Sequence, residues 1–207
     1  MYKFGGQPFV KEHMKKNYGG GFESVFGKKT GATMISAVSG SIMGVGEIAL
    51  LPLDVLKIKA QTNPEAVKGS VLKVLSQEGW ALYRGWGWTA ARNAPGSFSL
   101  FGGAALAKQL MGSADRPASF LEDTIASVAG SVASITVAAP LDVIKTRLQS
   151  GHVGSKSGFA VIGDLVKEEG FSAFFKGLTP KILVVGPKLI FSFTIAQQLM
   201  QYFEKVL

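Results

Sequence analysis

Cysteine is absent from this 207-residue sequence, and histidine occurs only as His13 and His152. Those absences exclude a disulfide framework, a thiolate metal site and an imidazole cluster. Charge is scarce as well. Asp, Glu, Lys and Arg make up 17% of the chain, against about a quarter in an average soluble domain. No Gly-x-x-x-x-Gly-Lys loop and no Ser-His-Asp set appears, so the sequence reads as a non-enzyme without metal or catalytic cofactor. Residues 1–18 contain no apolar core of the length a secretory leader needs. What the chain does have is glycine, 26 of them, in a composition that is 47% hydrophobic. Low charge with abundant small residues is the composition of membrane helices packed backbone to backbone. The net charge of +8 suits nucleic acid, anionic lipid or an anionic substrate alike, and its sign does not choose among them.

The apolar residues are gathered into long uncharged runs. Residues 124–141 form one of 18 and residues 30–46 one of 17, after which Glu47 interrupts before residues 48–53 resume. Residues 93–107 and 189–203 are uncharged runs of 15, preceded within a few residues by Arg92 and Lys188. Crossing a bilayer as a helix takes about 20 residues, and four runs of this kind predict four transmembrane helices. Charges at membrane depth cost about 2.5–3.5 kcal/mol or more unless they face a bundle interior or water. Glu47, Asp54, Arg92, Asp142 and Lys188 are therefore expected to line a polar cavity.

The runs belong to a tandem repeat. Pro52-Leu-Asp54-Val-Leu-Lys57 recurs 88 residues later as Pro140-Leu-Asp142-Val-Ile-Lys145. Glu78-Gly79 recurs as Glu169-Gly170, Tyr83-Arg84-Gly85 as Phe175-Lys176-Gly177, and Ala94-Pro95 as Gly186-Pro187. Each unit reads as an apolar helix bent at proline, a polar connection with a short amphipathic helix, and a second apolar helix. Residues 31–111 and 112–207 are the two units, with residues 1–30 the end of an earlier helix and a polar connecting segment.

These elements resemble the mitochondrial carrier family, whose hallmark is Pro-x-[Asp/Glu]-x-x-[Lys/Arg] at the end of each odd helix, then Glu-Gly and aromatic-basic-Gly. The resemblance implies an all-α, multi-pass protein of the mitochondrial inner membrane holding two of the family's three repeats, the second and third. Such a chain has about four transmembrane helices and two short matrix helices, and residues 2–9 fall at the end of helix two. It also implies a matrix-side gate carried by Pro52, Asp54, Lys57, Pro140, Asp142 and Lys145, in which carboxylates and ammonium groups pair around a ring. Two of three ring members do not close a three-membered ring, so this chain alone is not expected to exchange substrate tightly. The cytosolic side departs further: Lys108 and Gln197 stand at the even-helix gate positions, but no acid accompanies them. Carrier relatives work as monomers.

On the fourth helix Thr89, Arg92, Gly96, Ser99 and Gly103 recur at spacings of three and four and form one small, polar stripe. On the sixth, Lys181 and Lys188 are nearly superposed. Fixed cations in a low-dielectric cleft favour phosphate, and a planar Arg binds it bidentately. The family's substrate contacts map to Arg92 and Asn93 here, and to the apolar neighbourhood of Val184. Arg92 reads equally as a structural partner for Glu47 or as a direct phosphate contact. Glu47 has no acid counterpart in the other repeat, where Ile135 stands, and a carboxylate there suits the paired N–H donors of guanine. Within the family the motifs are most similar to those of guanine-nucleotide carriers, which implies GTP and GDP as antiported substrates. Tyr83-Arg84-Gly85 and Phe175-Lys176-Gly177 each place a glycine at a helix start near a base, an anion-binding arrangement. The resemblance makes Gly85 and Gly177 contacts for the lipid cardiolipin. Trp86 and Trp88 read as interfacial anchors, and Gly40-x-x-x-Gly44 and Ala126-x-x-x-Gly130-x-x-x-Ser134 as close-packing surfaces. Three readings stand together: a nucleotide exchanger, a truncated remnant or carrier of another anionic metabolite, and a basic nucleic-acid-binding protein. The apolar runs count against the last.

Overall fold

The structure, a computed structural model, describes residues 2–53, 79–83, 86–113, 116–149 and 158–206. Among them there are six α-helices: α1 (Tyr2–Phe26), α2 (Lys28–Gly46), α3 (Trp86–Leu110), α4 (Phe120–Gln149), α5 (Gly158–Glu169) and α6 (Leu178–Val206). Three stretches are long and apolar enough to cross a membrane: Lys28–Leu53, Phe120–Ile144 and Phe171–Tyr202. The fourth expected crossing, α3, has 25 residues but carries Arg92, Asn93 and Lys108, which dilute its hydropathy. Of the two short helices expected between crossings, α5 is present and the other lies outside the described residues.

The helices pack in sequence order, α1 on α2, α2 on α3, α3 on α4 and α4 on α6. Glycine makes this possible. A Cβ on Gly40 would meet Ser97 O at 2.8 Å and overlap the Phe101 ring, and one on Gly44 would meet Ser97 Oγ at 2.7 Å. On α4, a Cβ on Gly130 would overlap Leu100 O and touch Ala104 at 3.2 Å. Both small-residue patterns are therefore helix–helix contacts, as expected where lipid supplies no hydrophobic drive between helices. Gly96 and Gly103 belong to the same seam: their nearest neighbours are Ser134, Ala138, Ala133 and Gly130 of α4. The α3 stripe expected to face a cavity thus seats α4 instead.

The turns set which ends meet. Gly27, at φ 77, reverses the chain between α1 and α2. Gly112, at φ 70, ends α3 in a Schellman motif, with Ser113 N bonded to Lys108 O at 2.9 Å and Gly112 N to Gln109 O at 3.2 Å. A capping box opens α4: Ser119 N donates to the Glu122 carboxylate at 2.8 Å and Glu122 N to Ser119 Oγ at 3.3 Å. The Gly27 turn, the connection from α3 to α4 and the end of α6 lie at one end of the bundle. Pro52, Pro140, α5 and the start of α6 lie at the other. Proline acts differently in the two repeats. Before Pro52 the helix tightens to 3-10 geometry over Glu47–Leu50, where the ring crowds the carbonyl of residue 48. Pro140 lies inside an α4 that continues to Gln149.

Midway between the ends, Phe4, Phe101 and Phe193 form an aromatic core joining α1, α3 and α6, with centroid separations of 6.1, 5.3 and 5.4 Å. A second core closes the proline end, where Ile144 meets Leu165, Ala173 and Phe174. Beside it Lys176 pairs with Glu169. That contact joins the Glu-Gly and aromatic-basic-Gly elements of the repeat.

Candidate functional site

Ionic side chains in this bundle gather in two layers on either side of the aromatic core. From Arg92 to Lys108 along α3 is 16 residues, about 24 Å at 1.5 Å per residue, and Lys181 to Gln197 along α6 is the same. Two sets of charges are thus held apart by most of the roughly 30 Å thickness of a hydrocarbon core, and each uses α3, α4 and α6.

The layer at the proline end contains most of the substrate-binding residues expected from sequence. Arg92 Nε donates to Asp142 Oδ1 at 2.6 Å, joining α3 to α4. Lys181 of α6 pairs with the other carboxylate oxygen of Asp142. Asn93 Nδ2 donates to Glu47 Oε2 at 2.9 Å, linking α3 to the 3-10 segment after α2, and Arg92 Nη1 donates to Asn93 Oδ1 at 3.2 Å. The resulting chain, Glu47–Asn93–Arg92–Asp142–Lys181, runs across four elements. Asn93 is buried, whereas Arg92 and Lys181 keep part of their surface open. Arg92 and Lys181 balance the carboxylates of Asp142 and Glu47 in this chain, so an anion reaches both cations only by displacing Asp142.

Two expectations are corrected here. Arg92 does not pair with Glu47: it reaches Asp142 on the other side, because Asn93, one residue on, occupies the approach to Glu47. Lys188 does not join the cluster. It is exposed on α6, although seven residues return a helix to nearly the same face. Lys181 is held by Asp142, and no described partner holds Lys188. Val184, at the family's contact position, is also exposed, at 76%.

Of the matrix-gate set, Pro52 is buried and Pro140 and Asp142 are placed as described. Asp54 and Lys57 lie outside the described residues, as does the Lys145 side chain. Gly177 has φ 84 and opens α6, its carbonyl accepting from Lys181 N at 3.1 Å. Gly85 lies outside the described residues. Trp86 and Trp88 are exposed, as interfacial anchors are.

The layer at the other end corrects a third expectation. Lys108 is not without an acid: its Nζ is 2.6 Å from Asp123 Oδ1, whose side chain is wholly buried. Gln198 and Gln201 donate to Asp123 Oδ2 at 2.5 and 3.0 Å, and Lys108 also bonds Gln197. Asp123 escaped a search along the even helices because it stands at the start of an odd one. A signal was available in the Glu122-Asp123 pair before the uncharged run, with glutamines clustered at 197, 198 and 201.

The family model described as mitochondrial carrier protein matches residues 29–115 and again 116–207. The chain is 54% identical over 211 residues to an uncharacterized mitochondrial carrier of Schizosaccharomyces pombe, covering all of this chain and 70% of that protein. It is also 54% identical over 212 residues to mitochondrial GTP/GDP carrier protein 1 of Saccharomyces cerevisiae, covering all of this chain and 71% of that one. The succinate/fumarate mitochondrial transporter of the same yeast is 30% identical over 202 residues, 86% of this chain and 62% of the relative. No solved structure matches.

Proposed function

The chain belongs to the mitochondrial carrier family, a multi-pass protein of the inner membrane, and from that premise we propose that it exchanges guanine nucleotides, GTP against GDP, by alternating access. The observation that carries this reading is the pairing of Arg92 and Lys181 on one carboxylate, Asp142. A nucleotide's phosphates bear more charge than that carboxylate and accept the same donors. Binding substitutes phosphate oxygens for Asp142 on Arg92, in the planar geometry a guanidinium favours. Asp142 is then released towards the ring at the proline end, so occupancy of the site and the state of the gate are linked through one side chain. Glu47, held by Asn93, presents a carboxylate oriented for guanine. A site built on hydrogen bonds discriminates strongly against a base that cannot make them. Identity of 54% to a GTP/GDP carrier along the whole chain supports the nucleotide assignment. Cardiolipin at Gly177, where the first turn of α6 offers backbone N–H groups, belongs to the same proposal.

The test is uptake of labelled GTP by liposomes that contain the purified chain and are loaded with GDP, beside equilibrium binding of GDP and ADP in detergent. Binding of GDP in preference to ADP is the expected result, with uptake by these two repeats alone only weakly dependent on internal GDP. Preference for a dicarboxylate or for inorganic phosphate overturns the nucleotide assignment. A second reading follows from the number of repeats matched, two: a form that binds nucleotide without turning over. Binding in detergent without exchange in liposomes identifies it.

A further inference from the structure

We propose that Lys188 binds the outermost phosphate of a nucleoside triphosphate and is the residue by which this site tells a triphosphate from a diphosphate. The assignment rests on the nucleotide reading and adds to it the length of the phosphate chain. Lys188 is exposed and stands apart from the cluster at the proline end. It lies ten residues into α6, about 15 Å along the axis from Leu178, and the apolar stretch begins earlier still, at Phe171. Lysines near helix ends reach the interface along their four-carbon stems, but Lys188 is too deep for that escape. A charge at such depth is costly unless it meets water or an opposite charge. Lys188 pairs with no carboxylate among the described residues. Water and a mobile anion are the partners left to it.

The backbone beside it points the same way. Pro187 lies inside α6 and has no N–H to give the carbonyl of Leu183, one turn back. Leu183 and Val184 are 70% and 76% exposed, so this turn of the helix is open. Backbone groups freed at membrane depth are tolerated where they line water. Helical spacing then fixes the side. Seven residues bring Lys188 within about 20° of the face of Lys181 and about 10 Å further from the proline end, and Lys181 faces Asp142.

Charge sets the order of contacts. Arg92 and Lys181 share Asp142, so a phosphate displaces that carboxylate to reach either. No described carboxylate contests Lys188. With the base at Glu47 and Asn93, the chain of polar contacts leads through Arg92 to Lys181 on α6. A phosphate tail laid along it ends on α6. Two phosphates occupy Arg92 and Lys181, and a third meets Lys188 without a competitor.

The test is equilibrium binding to the purified chain in detergent without magnesium, using GTP, GDP, inorganic tripolyphosphate and pyrophosphate as probes. Lys188→Gln is expected to weaken GTP and tripolyphosphate about tenfold, the scale of one charged hydrogen bond, and to change GDP and pyrophosphate by less than about twofold. Lys188→Arg keeps the charge and is expected to keep the parent ratio of triphosphate to diphosphate affinity. Lys188 has no partner to orphan, so neither variant is expected to shift the thermal midpoint. Arg92→Gln, which weakens both lengths alike, is the control. A loss in Lys188→Gln shared equally by both lengths, or no loss at all, overturns the assignment. The guanine reading is scored separately, by GDP against ADP. Equal affinity there sinks that reading and leaves tripolyphosphate against pyrophosphate to judge Lys188.

Discussion

Arg92 and Asp142 meet Nε to Oδ1 at 2.6 Å across the seam between α3 and α4. One residue belongs to the proposed substrate site and the other to the motif that the family resemblance assigns to the gate. They lie 50 residues apart in sequence, and each has a cross-helix neighbour of its own, Lys181 for Asp142 and Asn93 for Arg92. Competition between a phosphate and Asp142 for Arg92 follows directly, and it gives the first prediction.

Arg92→Gln is expected to weaken GDP binding at least tenfold, since a hydrogen bond to a charged group is worth about 1.5–3 kcal/mol. Asp142→Asn should act oppositely on binding, tightening it about threefold by removing the competing anion, while abolishing exchange. Equilibrium binding of labelled GDP to both variants, set beside liposome uptake, checks the pair. Weaker binding in Asp142→Asn would mean that the carboxylate organises the cations instead of competing for them.

Guanine preference is expected to reside in Glu47 and Asn93. Glu47→Gln replaces one acceptor by a donor, and Asn93→Ala releases the carboxylate from its 2.9 Å bond. Each should reduce the ratio of GDP to ADP affinity by about tenfold. A ratio unchanged in both variants rejects the assignment.

Close packing at glycine sets a third expectation. Gly130→Ala places a methyl group against Leu100 O, and overpacking of this kind costs about 1–3 kcal/mol. Gly163→Ala on α5 meets nothing within 4 Å and should be neutral, or stabilising by about 0.5–1 kcal/mol through helix propensity. Thermal unfolding in detergent should show a lowered midpoint only for Gly130→Ala.

The aromatic core is testable by truncation. Phe193 stacks on Phe4 and meets Phe101 edge-on, so Phe193→Ala should cost about 3–5 kcal/mol. Loss of α6 from the bundle follows if the trio is what draws it towards α1. Increased proteolysis between residues 178 and 206, measured against the parent chain, would show it.

Much of this was readable along the chain. The uncharged runs at 30–46 and 124–141 became α2 and most of α4, because a helix in lipid must be apolar over its whole length and so announces itself locally. The repeated Glu-Gly and aromatic-basic-Gly elements were visible as motifs, but not that Glu169 and Lys176 pair. Lys188 looked equivalent to Lys181 because spacing reports the face of a helix, not what covers it. Asp123 drew no reading from the sequence. Its partners lie 15 residues back and about 75 residues on, and only the Schellman turn, the capping box and the return of α6 bring them together.

Composition and repetition by themselves determined that this is a membrane helical bundle built from a duplicated hairpin with cations and carboxylates inside it. Those properties follow from hydration and periodicity, which act on neighbouring residues. Which cation meets which carboxylate was decided by the tertiary structure alone. Glycine lets the backbones of α2, α3 and α4 approach so closely that Asn93, and not Arg92, faces Glu47, and so Arg92 turns to Asp142. Ionic pairing at the ends of helices depends on distances of an ångström or two, and those are set by packing between segments far apart in the chain.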